Sequence, residues 1–178
     1  EKKQTCFLRA AMMVLTTILI VLFFAIMSMV GKIQGTARVI NYAGLVRGGT
    51  QQMVKLEISG TPQDKMYQTT SSYIEGLRNG SDELNFIRLD DQKFQSKMDE
   101  LAGYFEELRD EILLVREKGY ENTDIIEKSE RFFQICDEAV GLSEEYSQRK
   151  ATALDYLEKV VIVDILGLVL IIGAELIK

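Results

Sequence analysis

Ala10 to Val30 is a run of 21 residues without a single charge. At 1.5 Å of rise per residue, a helix of that length covers the roughly 30 Å hydrocarbon core of a bilayer, where every backbone polar group must be satisfied within the chain. A signal peptide is the competing reading. Its apolar region is usually shorter, and no small-x-small cleavage site is obvious after this run. The run therefore predicts a transmembrane helix over 10–30. Lys2, Lys3 and Arg9 precede it, and the positive-inside tendency places residues 1–9 in the cytoplasm and the chain after the run outside.

A second apolar stretch, Val160 to Ile177, predicts a second transmembrane helix over 158–177 that returns the chain to the cytoplasm. Two carboxylates interrupt it. Glu175 and Lys178 fit the cytoplasmic boundary. Asp164 lies about a turn inside the outer boundary, where it is expected to snorkel outward or to border a wet seam between two copies. The chain has no initiator methionine and stops directly after an apolar run, so it is expected to be a segment of a longer protein, with a cytoplasmic output domain beyond Lys178.

The two apolar ends leave residues 31–157 as one extracytoplasmic domain of ordinary size. This part carries 16 Lys and Arg against 23 Asp and Glu, a net charge of -7. So acidic a surface argues against nucleic acid as a partner and against a polybasic lipid patch, leaving lipid contact to the two spans. With no histidine anywhere, an imidazole metal site and a Ser-His-Asp triad are excluded. Cys6 and Cys136 are expected on opposite sides of the membrane and suggest neither a disulfide nor a metal site. No cofactor is implied, and no motif brings a nucleophile to a base, so this segment reads as a non-enzyme.

Helical periodicity runs through the middle without any strand-like alternation. The first helix is expected from about Lys32 to Ser59, closed by Gly60. Thr61-Pro62-Gln63-Asp64 then predicts a restart with Thr61 as N-cap and Pro62 at the first helical position. This second helix carries Met66, Tyr67, Tyr73, Ile74 and Leu77 and stops near Asn79-Gly80-Ser81. Residues 81–89 read as a loop or a short turn. Asp90 and Asp91 introduce a third helix whose seam is Phe94, Met98, Leu101, Phe105, Leu108, Ile112 and Val115, ended by Gly119. Asn122 or Thr123 is expected to cap a fourth, with Ile125, Phe132, Cys136, Ala139, Tyr146, Ala153 and Leu157 on one face. The expected fold is all-α, an antiparallel four-helix bundle flanked by two transmembrane helices.

Ile40 to Gln52 stands out within the first helix. Ile33, Ala37, Ile40, Gly44, Arg47, Gln51, Val54 and Ile58 recur at alternating spacings of four and three, a heptad seam. Yet Gly44, Gly48 and Gly49 fall inside it, and each glycine in a helix interior costs about 1 kcal/mol relative to alanine. Close approach of a second helix or of a ligand is the physical reason for such a cluster. Arg47 is the one charge among them.

The run Ile40-Asn41-Tyr42-Ala43-Gly44-x-x-Arg47, just outside the first span, resembles the segment that opens the periplasmic domain of nitrate/nitrite sensor kinases. A wider group of bacterial signalling proteins shares it, including the sensor domain of pilus-linked chemotaxis transducers. In the nitrate sensors that arginine lies at a dimer interface, where one copy from each subunit holds the anion, and the resemblance implies this role for Arg47. Gly48 stands where the nitrate pattern has methionine, and Gln52 where it has a second arginine. These departures bear on the ligand, not on the architecture.

The resemblance thus implies a membrane-bound sensor segment of a two-component kinase, diguanylate cyclase or chemoreceptor, working as a homodimer. A small molecule, with an anion as the favoured class, would sit near Arg47, with Asn41, Gly44, Gly48, Thr50 and Gln51 as further candidates. Two readings of Arg47 stay open. It binds a ligand on the two-fold seam, or it pairs with a carboxylate of its own bundle, as a ligand-free docking or structural protein would have it.

Overall fold

The computed structural model describes residues 2–177. Glu1 and Lys178, together with the Lys2 side chain invoked above for orientation, lie outside the described residues. The elements are α1 (Lys2–Ile58), α2 (Asp64–Asn79), α3 (Gln92–Lys118), a 3₁₀ turn (Tyr120–Asn122) and α4 (Ile125–Leu176). The chain forms two compact units. One takes in the chain up to Ile33 and from Gln148 onward, and the other is Gln34–Ser147.

The 34–147 unit is an antiparallel bundle of four helices. Along α3 the seam Phe94, Met98, Leu101, Phe105, Leu108, Ile112 and Val115 is buried at every position, as the three-four spacing requires of a helix with one apolar stripe. On α4, Ile125, Phe132, Cys136, Ala139 and Tyr146 are buried as expected, while Ala153 is exposed. Burying a large apolar side chain contributes roughly 1.5–3 kcal/mol, so these two stripes account for much of the drive to form the unit.

On α1 the stripe that faces the core lies beside the heptad seam. Val39, Ala43, Val46, Thr50 and Met53 face the core, while Ile40, Gly44, Arg47 and Gln51 are half-buried at its edge. The physical reason is that α1 offers two adjacent stripes. The more continuous apolar one turns into the chain's own core, and the glycine-containing one is left at the side.

The caps also shift. α2 starts at Asp64 rather than at Thr61-Pro62, with Gln63 at the N-cap position and no side-chain cap of its own. The Gln63 N–H donates instead to Glu57 Oε1 at 2.8 Å, a carboxylate reaching over from the end of α1. Asn122 and Thr123 close the 3₁₀ turn, their N–H groups donating to Gly119 and Tyr120, and α4 begins only at Ile125. Asp91 caps α3 as expected, accepting from the Phe94 N–H at 2.9 Å. Gly60, Gly80 and Gly119 adopt positive φ where α1, α2 and α3 stop.

Residues 80–91 form a tight loop closed by paired hydrogen bonds between Ser81 and Phe86. It drives Phe86 and Leu89 into the core. The Phe86 ring packs edge-on against Tyr42 at 4.6 Å between centroids, and Tyr42 packs edge-on against Tyr73 at 5.0 Å. A Cβ at Gly76 would lie 2.8 Å from the Phe86 ring, and one at Gly35 would lie 2.7 Å from Ile87.

In the other unit, α1 is long and apolar enough to cross a membrane. Met13, Val21, Phe23, Phe24 and Met27 are exposed along one broad side of it, while Leu15, Leu19, Leu22 and Ile26 are half-buried on the other. Asp164 does not reach outward. It is buried, and its Oδ2 finds no hydrogen-bond partner among the described residues. It lies one turn from Gly167, where an added Cβ would touch Leu15 of α1, so Asp164 belongs to the face that α4 turns toward α1.

Candidate ligand site on the first helix

The 40–52 stretch is helical throughout, so its candidate residues are distributed by the 100° turn of the helix. Arg47 and Gln51, one turn apart, both reach α4. The Arg47 guanidinium forms an ion pair with Asp137 and lies over the Phe133 ring, 5.3 Å from its centroid. Gln51 Nε2 donates to the Ser129 carbonyl at 3.1 Å and to its hydroxyl at 3.2 Å. Ser129, Phe133 and Asp137 are spaced four apart and run down one face of α4. As the α1 positions advance from 47 to 51, the α4 positions retreat from 137 to 129, the signature of antiparallel packing.

The other candidates point elsewhere. Thr50 is fully buried on the core side, and its hydroxyl has no hydrogen-bond partner among the described residues. Asn41 and Gly48 are exposed on the opposite face, with Gly44 half-buried beside them. A Cβ at Gly44 or Gly48 would meet no atom within 4 Å among the described residues. Packing within one chain therefore gives no reason for either glycine. Leu45, 50% exposed, stands between them. The six residues thus divide into a cationic edge against α4, a bare outward strip, and one core hydroxyl.

Arg47 is held gently. Its side chain is 33% exposed and that of Asp137 60%, and ion pairs of this accessibility contribute about 0–1 kcal/mol. The adjoining Cys136 is fully buried, and burial pushes its thiol up to about 12, so it is no nucleophile at neutral pH.

Sequence reasoning missed the partners Phe133 and Asp137. Their spacing of four on one helix face is the signal that was available, but in so acidic a chain it has many equals. It also missed two networks at the bundle end opposite the 80–91 loop. Arg116 grips the buried Glu57 in a two-pronged bond, at 2.9 and 2.6 Å, and reaches Asp64 at 2.7 Å. Glu111, also buried, accepts from Lys128 Nζ at 2.6 Å and from the Asp124 N–H at 2.7 Å. The Lys128 ammonium is the main reason that the Glu111 carboxyl titrates below its ordinary value.

The arrangement defines an all-α bundle whose first helix carries an arginine and two unpacked glycines side by side. The fold is similar to that of the ligand-binding domain of the P. aeruginosa nitrate receptor McpN, with a TM-score of 0.54 at 18% sequence identity, over 61% of this chain and 94% of that one. No protein-family model matches the chain, and no curated protein matches it.

Proposed function

We propose that this chain is the membrane-anchored extracytoplasmic sensor segment of a bacterial transmembrane receptor, crossing the membrane over 10–30 and 158–177 and working as a parallel homodimer. A small anion binds at the two-fold seam near Arg47. The observation that carries the reading is the outward strip of α1: among the described residues an added Cβ at Gly44 or Gly48 meets nothing within 4 Å, next to an arginine held by an exposed carboxylate and the face of a phenylalanine ring. A second copy of α1 can approach closely along such a strip. Two guanidinium groups about 5 Å apart would repel by roughly 3 kcal/mol at an effective dielectric near 20. An anion removes that penalty and accepts from both planar forks, taking over from Asp137. Ligand occupancy and dimer geometry are then coupled, and α1 and α4 carry a small displacement toward a kinase, cyclase or methyl-accepting output. The bundle fold shared with the receptor domain above supports the reading.

A second reading has its own observation. The Arg47–Asp137 pair is what a ligand-free docking or structural bundle would show. Thermal unfolding of the detergent-solubilised chain against a panel of small anions, in wild type and in Arg47→Ala, separates the two. A ligand at about a hundred times its Kd stabilises by about 2.7 kcal/mol. One anion that raises the wild-type midpoint and leaves Arg47→Ala unmoved supports the seam. No shift with any anion, together with a loss of stability in Arg47→Ala, gives the docking reading.

A further inference from the structure

Away from Arg47, the end of the bundle where α1 turns into α2 holds a groove of about 310 Å³ between α1, α2 and α3. That volume is in the range of small-molecule sites. Its apolar wall is Met53, Ile112 and the exposed Leu113. Its charged lining is two arginines, Arg109 and Arg116, and two carboxylates, Glu57 and Asp64. The formal charges cancel.

The bonds already made decide what remains to be met. Glu57 is used up by Arg116 and the Gln63 N–H, and Arg116 by Glu57 and Asp64. Asp64 keeps its second oxygen free of any bond to Arg116, on a side chain that is 74% exposed. Arg109 lies over the face of Tyr67, 5.4 Å from its centroid, and bonds Glu106 through one nitrogen at 3.3 Å, which leaves donors of its five-donor fork for a ligand. The open valences are therefore one cationic and one anionic. They are also separated. Arg109 and Arg116 are two turns apart on α3, about 10 Å along the axis, and Asp64 sits at Arg116.

We propose that this groove is a second ligand site, within one chain, for a small zwitterion whose charges lie at the two ends of a short aliphatic chain, an ω-amino acid. Its carboxylate meets Arg109, its ammonium meets Asp64, and its methylenes lie on Met53, Ile112 and Leu113. An α-amino acid puts both charges on one carbon and cannot reach both partners. A simple carboxylate or amine leaves one of them unmet. The site goes beyond the Arg47 seam and does not rest on it.

Titration calorimetry on the detergent-solubilised chain tests this with 5-aminopentanoate, its isomer norvaline, pentanoate and pentylamine. The expected result is that 5-aminopentanoate binds at least about tenfold more tightly than each of the others. Arg109→Gln should lose about tenfold or more, with an unchanged melting midpoint in the absence of ligand. Arg47→Ala should bind as wild type does, so failure at one site is distinguishable from failure at the other. No heat with 5-aminopentanoate at millimolar concentration, equal binding of pentanoate, or an Arg109→Gln variant that binds undiminished would each overturn the proposal.

Discussion

Glu57 and Glu111 show how much a single buried carboxylate does in this bundle. Each has its charge matched by one cation and also accepts a backbone N–H, at the turn between α1 and α2 and at the turn before α4. Breaking a buried pair from one side leaves an uncompensated charge, which costs about 3–5 kcal/mol. Arg116→Ala, which strands the buried Glu57 without a cation, is therefore expected to lower the unfolding free energy by that order, and denaturant titration at neutral pH will show it as a lower midpoint. Glu111 adds a pH signature. Its folded carboxyl titrates below the unfolded value, so its contribution is fully present above about pH 5 and is lost as pH falls through the folded value. Melting curves of Glu111→Gln should be flatter than wild type over that acid limb. A pH dependence identical to wild type would show that the lysine contact is not formed in solution.

At the scale of the helix, glycines report what faces them. Gly76 backs onto the Phe86 ring at 2.8 Å for an added Cβ. Gly76→Ala must displace an aromatic ring already packed on Tyr42, and overpacking of that kind costs roughly 1–3 kcal/mol. Gly48 is the opposite case. In a single chain nothing opposes its Cβ, so Gly48→Ala should add about 1 kcal/mol of helix stability. On the seam reading the same methyl group also obstructs the partner helix. Sedimentation of wild type and Gly48→Ala in detergent separates the effects: a variant that melts higher yet dissociates at higher concentration points to the seam, and one that melts higher with unchanged association removes it.

For the molecule as a whole, the two cysteines give a test of orientation. Cys6 is exposed near the start of α1 and Cys136 is buried in the bundle. With residues 1–9 cytoplasmic, an impermeant maleimide added to intact spheroplasts should leave the chain unlabelled. Permeabilisation should add one label, at Cys6, and denaturation a second, at Cys136. Labelling of Cys6 in intact spheroplasts would place the N-terminus outside and the proposed topology with it.

Much of this architecture was legible from residue order. An uncharged 21-residue run fixes α1 as a helix apolar enough for a membrane, and three-four periodicity fixed every buried position on the α3 seam, because burial on a helix repeats with its turn. Glycine stops at 60, 80 and 119 were equally readable, since only a residue without a Cβ takes positive φ there at little cost. Only the tertiary structure decided which of the two stripes on α1 turned inward, because that choice depends on what three other helices offer. It also decided that Glu57, on a different helix, serves the start of α2 in place of Thr61. It chose Asp137 and Phe133 among many acidic and aromatic residues to meet Arg47, since a contact across 90 residues is set by packing and leaves no local pattern.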